Sequence, residues 1–257
     1  MGQPVTLRER YASARESGRP LIGGHRGNPA RFPENTLASF RSAIEAGVDI
    51  IECDVHLSAD DQLLVIHDHT LQRTTNGRGR VRNHTLSQLR SLDAGDGERI
   101  PLLEEVVELA RDRVGLAIEL KLLPVRYPGI EALVVDLLRR AGTVEQTSVI
   151  SFQHGAAKRV KQLEPGLQTG VLEAVRRRRP LTVLRRAGAD VYSPHYRLMT
   201  PELVEAVHDA GGAVAVWTVD DEAAVEWCRR CGPDSVFTNA PEKVRPMLNS
   251  LSTSKVV

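Results

Sequence analysis

The chain has few aromatic residues, few cysteines and almost no net charge, and each shortage excludes a class of protein. Aromatic residues make up 4% of the 257 residues and the formal net charge is +1, which argues against a nucleic-acid partner. Three cysteines are too few for a disulfide framework. No run approaches the roughly 20 apolar residues of a membrane span, and residues 1–19 are charged throughout, unlike a secretory signal. We therefore expect a cytoplasmic protein without stable membrane insertion.

One stretch near residue 50 places acidic residues directly after an apolar run. Residues 48–51 predict a buried strand, and the carboxylates of Glu52 and Asp54 then face the same side, because side chains alternate along a strand. A polar turn leads into a second apolar run at residues 63–66, and pairing of the two runs would set Asp54 opposite His67. Paired carboxylates suit a hard divalent cation, and a histidine suits proton transfer near neutral pH. The alternative is a solvated acidic strand end with an incidental histidine.

Beyond this stretch, helical and strand patterns alternate regularly. Strands are predicted at residues 21–24 and 48–51 and then at 115–121, 148–152, 168–172, 190–193, 213–219 and 235–238. Eight strands that alternate with helices are typical of an α/β protein with a (β/α)8 TIM barrel. The run at 63–66 follows too tight a turn to be a parallel strand, so we predict a spur above the barrel mouth.

A polar, glycine-rich segment interrupts this pattern after the spur. Residues 70–99 contain one short helical stretch, and a long irregular insert of this kind is usually a functional lid or a disordered segment. We predict one domain over residues 1–257, with a cap insert at about 69–100 and a frayed tail at 250–257.

The active site of a TIM barrel lies at the carboxyl ends of its strands. The candidate residues at those ends are His25, Arg26, Glu52, Asp54, His67, Glu119, Lys121 and Trp217. Glu119 and Lys121 again lie two residues apart, within an otherwise apolar strand. An unpaired buried charge costs several kcal/mol, so they form either part of a site or a buried salt bridge.

Six short motifs, in this order, resemble the glycerophosphodiester phosphodiesterase family. They are HRG at 25–27, PENT at 33–36, E-x-D at 52–54, HD at 67–68, E-x-K at 119–121 and WTV at 217–219. The resemblance runs from about residue 21 to residue 248, and it implies a TIM barrel with a cap inserted after the HD motif. It also implies metal ligation by Glu52, Asp54 and Glu119, acid–base roles for His25 and His67, and phosphate contacts from Arg26 and Lys121.

The expected reaction is metal-dependent hydrolysis of a glycerophosphodiester, a small molecule, to glycerol 3-phosphate and an alcohol. Oxygen ligands favour Mg²⁺ or Ca²⁺ over zinc, with Mn²⁺ as an alternative. Glu34 would orient a histidine or serve as a charge near the start of a helix. Trp217 would offer a flat wall to the glycerol carbons. Two rival functions are a lysophospholipase D with the same site and a non-catalytic phosphate-binding barrel.

Overall fold

The computed structural model describes residues 5–176 and 179–249. Eight parallel strands close into a barrel, because the first strand pairs with the second on one side and with the last on the other. The barrel strands are β1 (Leu21–His25), β2 (Ile50–Leu57), β4 (Gly115–Leu120), β5 (Thr147–Ser151), β6 (Gln168–Glu173), β7 (Val191–Pro194), β8 (Ala213–Val216) and β9 (Ser235–Thr238), and β3 (Leu63–Val65) is an antiparallel addition to β2. The predicted (β/α)8 TIM barrel is confirmed.

Of the ten helices in the described residues, eight alternate with the barrel strands, whereas the first and the third stand outside this alternation. The ten are α1 (Leu7–Ser17), α2 (Leu37–Glu45), α3 (Leu86–Arg90), α4 (Leu103–Ala110), α5 (Ile130–Ala141), α6 (His154–Leu163), α7 (Pro180–Ala187), α8 (Pro201–Asp209), α9 (Glu222–Cys231) and α10 (Pro241–Asn249). Within the described ranges, no helix has both the length and the apolar character needed to cross a membrane.

The alternation of side chains along β2 determines which of them face the barrel interior. Ile51, Cys53 and Val55 belong to the apolar cluster between the barrel and its helices, whereas Ile50 belongs to the cluster inside the barrel. Glu52 and Asp54 have the parity of Ile50 and therefore face inward. The carboxylates thus enter the barrel because the apolar residues between them pack outward.

The two ends of the barrel are built differently. Helix α1 covers the amino-terminal end, where Leu7 and Tyr11 pack with Ile50 and Phe237 in the interior apolar cluster. A Cβ at Gly23 would lie 2.3 Å from the Phe237 ring, so only glycine permits this close approach. Apolar packing fills this end, and the charged residues lie at the carboxyl ends of the strands.

The register of the β2–β3 hairpin differs by one residue from the prediction. Val55 pairs with Val65, and the Ile66 amide donates to the Asp54 carbonyl at 3.0 Å, so Ile66 and not His67 lies opposite Asp54. The Ser58 amide donates to the Gln62 carbonyl, which leaves a three-residue turn whose last residue, Asp61, is left-handed at φ 55°. Such turns are common in hairpins, and the predicted register, with Asp54 opposite His67, was wrong.

The insert after β3 is a small cap with its own apolar core. Two hairpin residues and five cap residues form this core, namely Leu64, Ile66, Leu71, Val81, Leu89, Ala94 and Ile100. The Thr85 hydroxyl caps helix α3 within it. Residues 70–99 are therefore a packed element beside the barrel mouth. The tail at 250–257, predicted to fray, lies outside the described residues.

Candidate active site

Strand pairing brings three carboxylates together at the barrel mouth. His25 on β1 is level with Glu52, and Asp54 on β2 is level with Glu119 on β4. One oxygen from each of the three carboxylates lies within 4.8 Å of the others, and all three residues are buried. Such a buried group of oxygen ligands can hold one metal ion.

The three carboxylates do not share one ionisation behaviour. Burial, followed by repulsion from Asp54 and Glu119, raises the pKa of Glu52 well above its ordinary value. Burial also raises the pKa of Glu119 to about 7, although Lys121 opposes it. Burial alone would raise the pKa of Asp54, but Lys121 and then Arg26 outweigh it and lower that pKa. Burial therefore opposes the ionisation of Glu52 and Glu119, whereas Lys121 and Arg26 keep Asp54 ionised.

Arg26 contacts the cluster with both its backbone and its side chain. Its φ of 58° is left-handed, which costs about 1–2 kcal/mol for a residue with a side chain. In this conformation the Arg26 amide donates to Glu52 Oε2 at 2.9 Å. The guanidinium lies 3.3 Å from Asp54 through Nε and donates to Glu34 Oε1 at 3.0 Å through Nη1. The turn after β1 thus places a fixed cation beside the carboxylates.

Lys121 lies between the carboxylates and His67. Its Nζ is 2.8 Å from Glu119 Oε1 and 3.5 Å from Asp54 Oδ1. The same ammonium donates to His67 Nε2 at 3.1 Å, so that nitrogen carries a lone pair in this arrangement. The Glu119–Lys121 ion pair, which the sequence left as the alternative to a site, is present as one contact of a larger network.

His67 follows β3 and is held through its other ring nitrogen. The Nδ1–H group donates to Asp68 Oδ1 at 2.6 Å, which favours the tautomer whose Nε2 carries no proton and accepts from Lys121. Burial lowers the pKa of His67, and Lys121 and Arg26 lower it further. The sequence placed Asp68 in the HD motif but gave it no role.

His56, which the sequence analysis left unassigned, supports the backbone of His67. Its Nε2–H group donates to the His67 carbonyl at 3.0 Å, and Tyr127 Oη donates to its Nδ1 at 2.8 Å. Burial lowers the pKa of His56 to about 4, so the ring is neutral. It has the inward parity of Asp54, which is the signal that could have identified it.

His25 is held by an amide that the sequence analysis missed. Its Nδ1–H group donates to Asn239 Oδ1 at 2.8 Å. The Asn239 side chain is oriented by Asp220, to which its Nδ2 donates at 2.7 Å. Burial, and then Arg26, lowers the pKa of His25 to about 4. Asn239 directly follows β9 and shares the inward parity of Phe237, so its place at a strand end was the available signal.

Asn35 is a second missed residue, and it holds a carboxylate of the cluster. Its Nδ2 donates to Asp54 Oδ2 at 2.8 Å, and its Oδ1 accepts from the Asp54 amide at 3.2 Å. Asparagine and threonine are both good N-cap residues, so either Asn35 or Thr36 could cap α2. The Thr36 hydroxyl fills that position by accepting from the Ser39 amide, and this leaves Asn35 available to Asp54.

Glu34 supports Arg26 instead of a histidine. Its carboxylate accepts hydrogen bonds from Arg26 and from Arg73 of the cap. Burial alone would raise the pKa of Glu34, but these two arginines lower it. Helix α2 begins only at Leu37, so Glu34 does not lie in the first turn of that helix either.

Trp217 lies across the mouth among aromatic residues. Its indole Nε1 donates to the Ser193 carbonyl at 3.1 Å. Its ring meets Phe152 edge to face at 5.6 Å and His195 at 5.3 Å. The half-buried indole is thereby fixed and can present a flat surface to the mouth.

Comparison with known sequences identifies relatives over most of the chain. Residues 25–243 match the sequence model of the glycerophosphoryl diester phosphodiesterase family. A glycerophosphodiester phosphodiesterase of Caldanaerobacter subterraneus subsp. tengcongensis is 40% identical, over 86% of this chain and 95% of that protein. A second, from Bacillus altitudinis, is 35% identical over the same shares.

The fold matches a solved phosphodiesterase structure as well. A phosphodiesterase of Oleispira antarctica, in complex with its product sn-glycerol-3-phosphate, superposes with a TM-score of 0.80 at 28% identity. The match covers 91% of this chain and 98% of that one.

Proposed function

Because the chain belongs to the glycerophosphoryl diester phosphodiesterase family, we propose that it hydrolyses glycerophosphodiesters to glycerol 3-phosphate and an alcohol. The reaction requires one divalent cation, held by Glu52, Asp54 and Glu119, and proton transfer by His25 and His67. The observation that carries the proposal is the convergence of three buried carboxylates within 4.8 Å at a mouth that two histidines also line.

The charge of the mouth supports a cation there. The pKa values of Glu52 and Glu119 are raised because burial desolvates the two carboxylates and neighbouring carboxylates repel their charge. Asp54 Oδ1 is buried and has no hydrogen-bond partner within the described residues. The three carboxylates therefore fit a divalent ion, and their all-oxygen character favours Mg²⁺ or Ca²⁺, with Mn²⁺ as an alternative. When bound, such an ion supplies Lewis-acid stabilisation of the phosphoryl oxygens.

The balance of charges suits a monoanionic substrate. Among the residues proposed to contact the metal or the phosphate, three carboxylates face two cations, Arg26 and Lys121, which leaves one negative charge when all three carboxylates are ionised. With a divalent cation bound, the site would carry one net positive charge, the complement of a phosphodiester. Both side chains are held by carboxylates, so they approach the phosphate position already oriented.

Two histidines provide the two proton transfers that phosphodiester hydrolysis needs. One proton must leave the entering hydroxyl, and another must reach the oxygen of the departing alcohol. His25 and His67 each donate Nδ1–H to a fixed acceptor, Asn239 and Asp68 respectively. Each ring therefore has Nε2 for the reaction: the ring that acts as base accepts the proton of the entering hydroxyl there, and the ring that acts as acid must enter the reaction with a proton on Nε2, which it gives to the departing oxygen.

The structure favours neither rival function. A lysophospholipase D needs an apolar surface for an acyl chain, but the large apolar residues of the cap are turned into its own core. A phosphate-binding barrel without catalysis needs Arg26 and Lys121, but it has no use for two histidines with separate orienting partners.

The test measures glycerol 3-phosphate released from glycerophosphocholine. Protein treated with a chelator and then dialysed should be inactive, and Mg²⁺, Ca²⁺ or Mn²⁺ should restore release. Lysophosphatidylcholine, tested in parallel, should be a poor substrate. Full activity in the presence of the chelator would contradict metal dependence, and preference for the lysolipid would favour the rival enzyme.

A further inference from the structure

The acidic partners of His67 and Arg26 are both held by one guanidinium from the cap. Arg73 Nη1 and Nη2 donate to the two oxygens of Glu34 at 2.8 and 2.7 Å. Arg73 Nε and Nη2 donate to the two oxygens of Asp68 at 2.7 and 3.1 Å. Asp68 in turn accepts from His67, and Glu34 accepts from Arg26.

We propose that Arg73 is a positioning residue, which fixes the orientation of His67 through Asp68 and that of Arg26 through Glu34. The inference rests on the proposed function, because it gives a task within the same site to a residue that touches no reacting atom. Only arginine offers a planar fork that can hold two carboxylates in bidentate pairs. Lysine in its place would keep the charge and lose this geometry.

The proposed task follows from the position of Asp68. Its Oδ1 lies 2.6 Å from His67 Nδ1, while Arg73 Nη2 is 3.5 Å from the same nitrogen, a poor contact. The guanidinium therefore holds the carboxylate, and the carboxylate holds the imidazole. Without Arg73, Asp68 can rotate away, and His67 can place its proton on either ring nitrogen. The Nε2 lone pair beside Lys121 would then no longer be assured.

The origin of Arg73 makes the cap part of the active site. The residue lies in a tight turn in which the Thr75 amide donates to the carbonyl of Leu71, a buried residue of the cap core. The side chain is 45% exposed, and it lines an open cavity of about 570 Å³ together with Pro33 and Asn76. A small cation from solvent can therefore reach its place once it is removed.

The cap also supplies a matched control. Arg90 donates to both oxygens of Glu105 at 2.5 and 3.0 Å and to the Ile100 carbonyl at 3.2 Å. It ties the cap to α4 with the same kind of bidentate pair, but it touches no residue of the mouth. Loss of Arg90 thus reproduces the structural cost of losing Arg73 without the proposed task.

The experiment compares Arg73→Ala, Arg73→Lys and Arg90→Ala with glycerophosphocholine and saturating Mg²⁺. We expect Arg73→Ala to lower kcat about 100-fold, as partners of catalytic groups commonly do, with a smaller change in KM. Guanidinium chloride at millimolar concentration should restore roughly tenfold of the lost kcat, whereas NaCl at equal ionic strength should not. Arg90→Ala should keep kcat within about twofold and respond to neither salt.

Three results would overturn the inference. The first is that Arg73→Ala and Arg90→Ala have the same kcat. The second is that guanidinium fails to raise the kcat of Arg73→Ala although the two variants have the same melting temperature and are therefore equally well folded. If Arg73→Ala fails to fold, Arg73→Lys replaces it in the test. A kcat about tenfold below wild type would then support the role, and an unchanged kcat is the third result that would overturn it.

A readout that does not depend on turnover separates this inference from the proposed function. Nitrogen-15 spectra of the histidine rings should show a single Nδ1–H tautomer for His67 in the wild type and a mixture in the Arg73 variants. An identical tautomer in both would reject the role of Arg73. Wild-type protein that releases no glycerol 3-phosphate would reject the proposed function instead, and the spectra would still decide the inference.

Discussion

The strand ends of β1, β2 and β4 carry charged residues, whereas those of β5, β7 and β8 carry aromatic and hydroxyl groups. The charged half contains the three carboxylates with Arg26 and Lys121, and burial raises the pKa values of two of these carboxylates, Glu52 and Glu119. In the aromatic half, the Trp217 indole donates to a carbonyl and packs edge to face on two rings.

The charged half therefore suits the binding of a ligand, whereas the polar groups of the aromatic half are already hydrogen-bonded within the protein. Two residues next to the charged half, Arg26 and Asn35, have left-handed backbones, and their side chains contact Asp54. Repulsion between the carboxylates and strain in the backbone persist in this half because active sites commonly retain strain that serves binding or catalysis. Changes in the charged half should therefore affect turnover strongly, and changes in the aromatic half weakly.

The largest effect should come from the two histidines. We expect His25→Ala and His67→Ala each to lower kcat roughly 10³- to 10⁴-fold, because each removes one proton transfer. Affinity for Mg²⁺, measured by calorimetry, should stay within about threefold of wild type, since neither ring belongs to the carboxylate cluster.

His208→Ala is the matched control, because this histidine also contacts a carboxylate, Asp234, at 2.8 Å, but lies at the opposite end of the barrel. It should lower stability and leave kcat unchanged. Near-normal turnover by His25→Ala would refute its acid–base role.

The next effect concerns the metal. Glu52→Gln should weaken Mg²⁺ binding and kcat/KM together, by about 100-fold, and higher Mg²⁺ should recover part of the activity. Asp190→Asn is the control, since Asp190 accepts from Lys161 and the Thr169 amide outside the mouth. If Glu52→Gln kept its metal affinity but lost turnover, Glu52 would have a role other than metal binding.

A smaller effect should appear in the stability of the metal-free protein. Since the pKa of Glu119 is raised to about 7 in the folded state, the folded state binds more protons than the unfolded state between about pH 4.5 and 7. The stability due to this group is fully present below that window and is lost as the pH rises through it. His25, with its pKa lowered to about 4, has the opposite dependence, so the comparison must be with Glu119→Gln.

Urea unfolding of both proteins in chelator should isolate the contribution of Glu119. The stability of the wild type relative to Glu119→Gln should fall by up to about 3 kcal/mol from pH 4.5 to 7.5. Saturating Mg²⁺ should remove this fall, because the ion binds the ionised carboxylates of the folded protein. A difference that does not depend on pH would show that Glu119 is ionised throughout.

The charged half was predictable from sequence because spacing within a strand determines which residues share a face. Glu52 with Asp54 and Glu119 with Lys121 each lie two residues apart in apolar runs, and the order of strands brings the pairs together. The register of the hairpin was not predictable, because it depends on a left-handed Asp61 in the turn.

The residues that orient the site were missed for another reason. Asn35, Asn239 and Arg73 come from three loops that are distant in sequence, and their side chains meet the site only after the barrel closes and the cap packs on it. Two other expectations stay predictions, namely that residues 1–257 form one domain and that the protein is cytoplasmic.

The smallest loss of activity should come from the aromatic half. Trp217→Ala should lower kcat/KM about tenfold, because the indole offers van der Waals contact to the glycerol carbons and no charge to the phosphate. Trp227→Ala is the matched control: its indole also donates to a carbonyl, that of Met199, but it lies on α9 away from the mouth. It should leave kcat/KM unchanged, and a thousandfold loss for Trp217→Ala would mean that the aromatic half takes part in the chemistry.

The same asymmetry limits how far the enzyme distinguishes leaving alcohols. In the proposed function, the charged groups of the mouth contact the phosphate, the metal and the transferred protons, and Trp217 contacts the glycerol carbons. Discrimination requires contacts that differ in the transition state, and the residues that we assign to the substrate address its phosphate and its glycerol, not its alcohol. We expect kcat/KM for glycerophosphocholine, glycerophosphoethanolamine and glycerophosphoglycerol to lie within about tenfold, or about 1.4 kcal/mol. Trp217→Ala should lower all three alike, whereas a thousandfold preference for one alcohol would reveal a specificity pocket in the aromatic half.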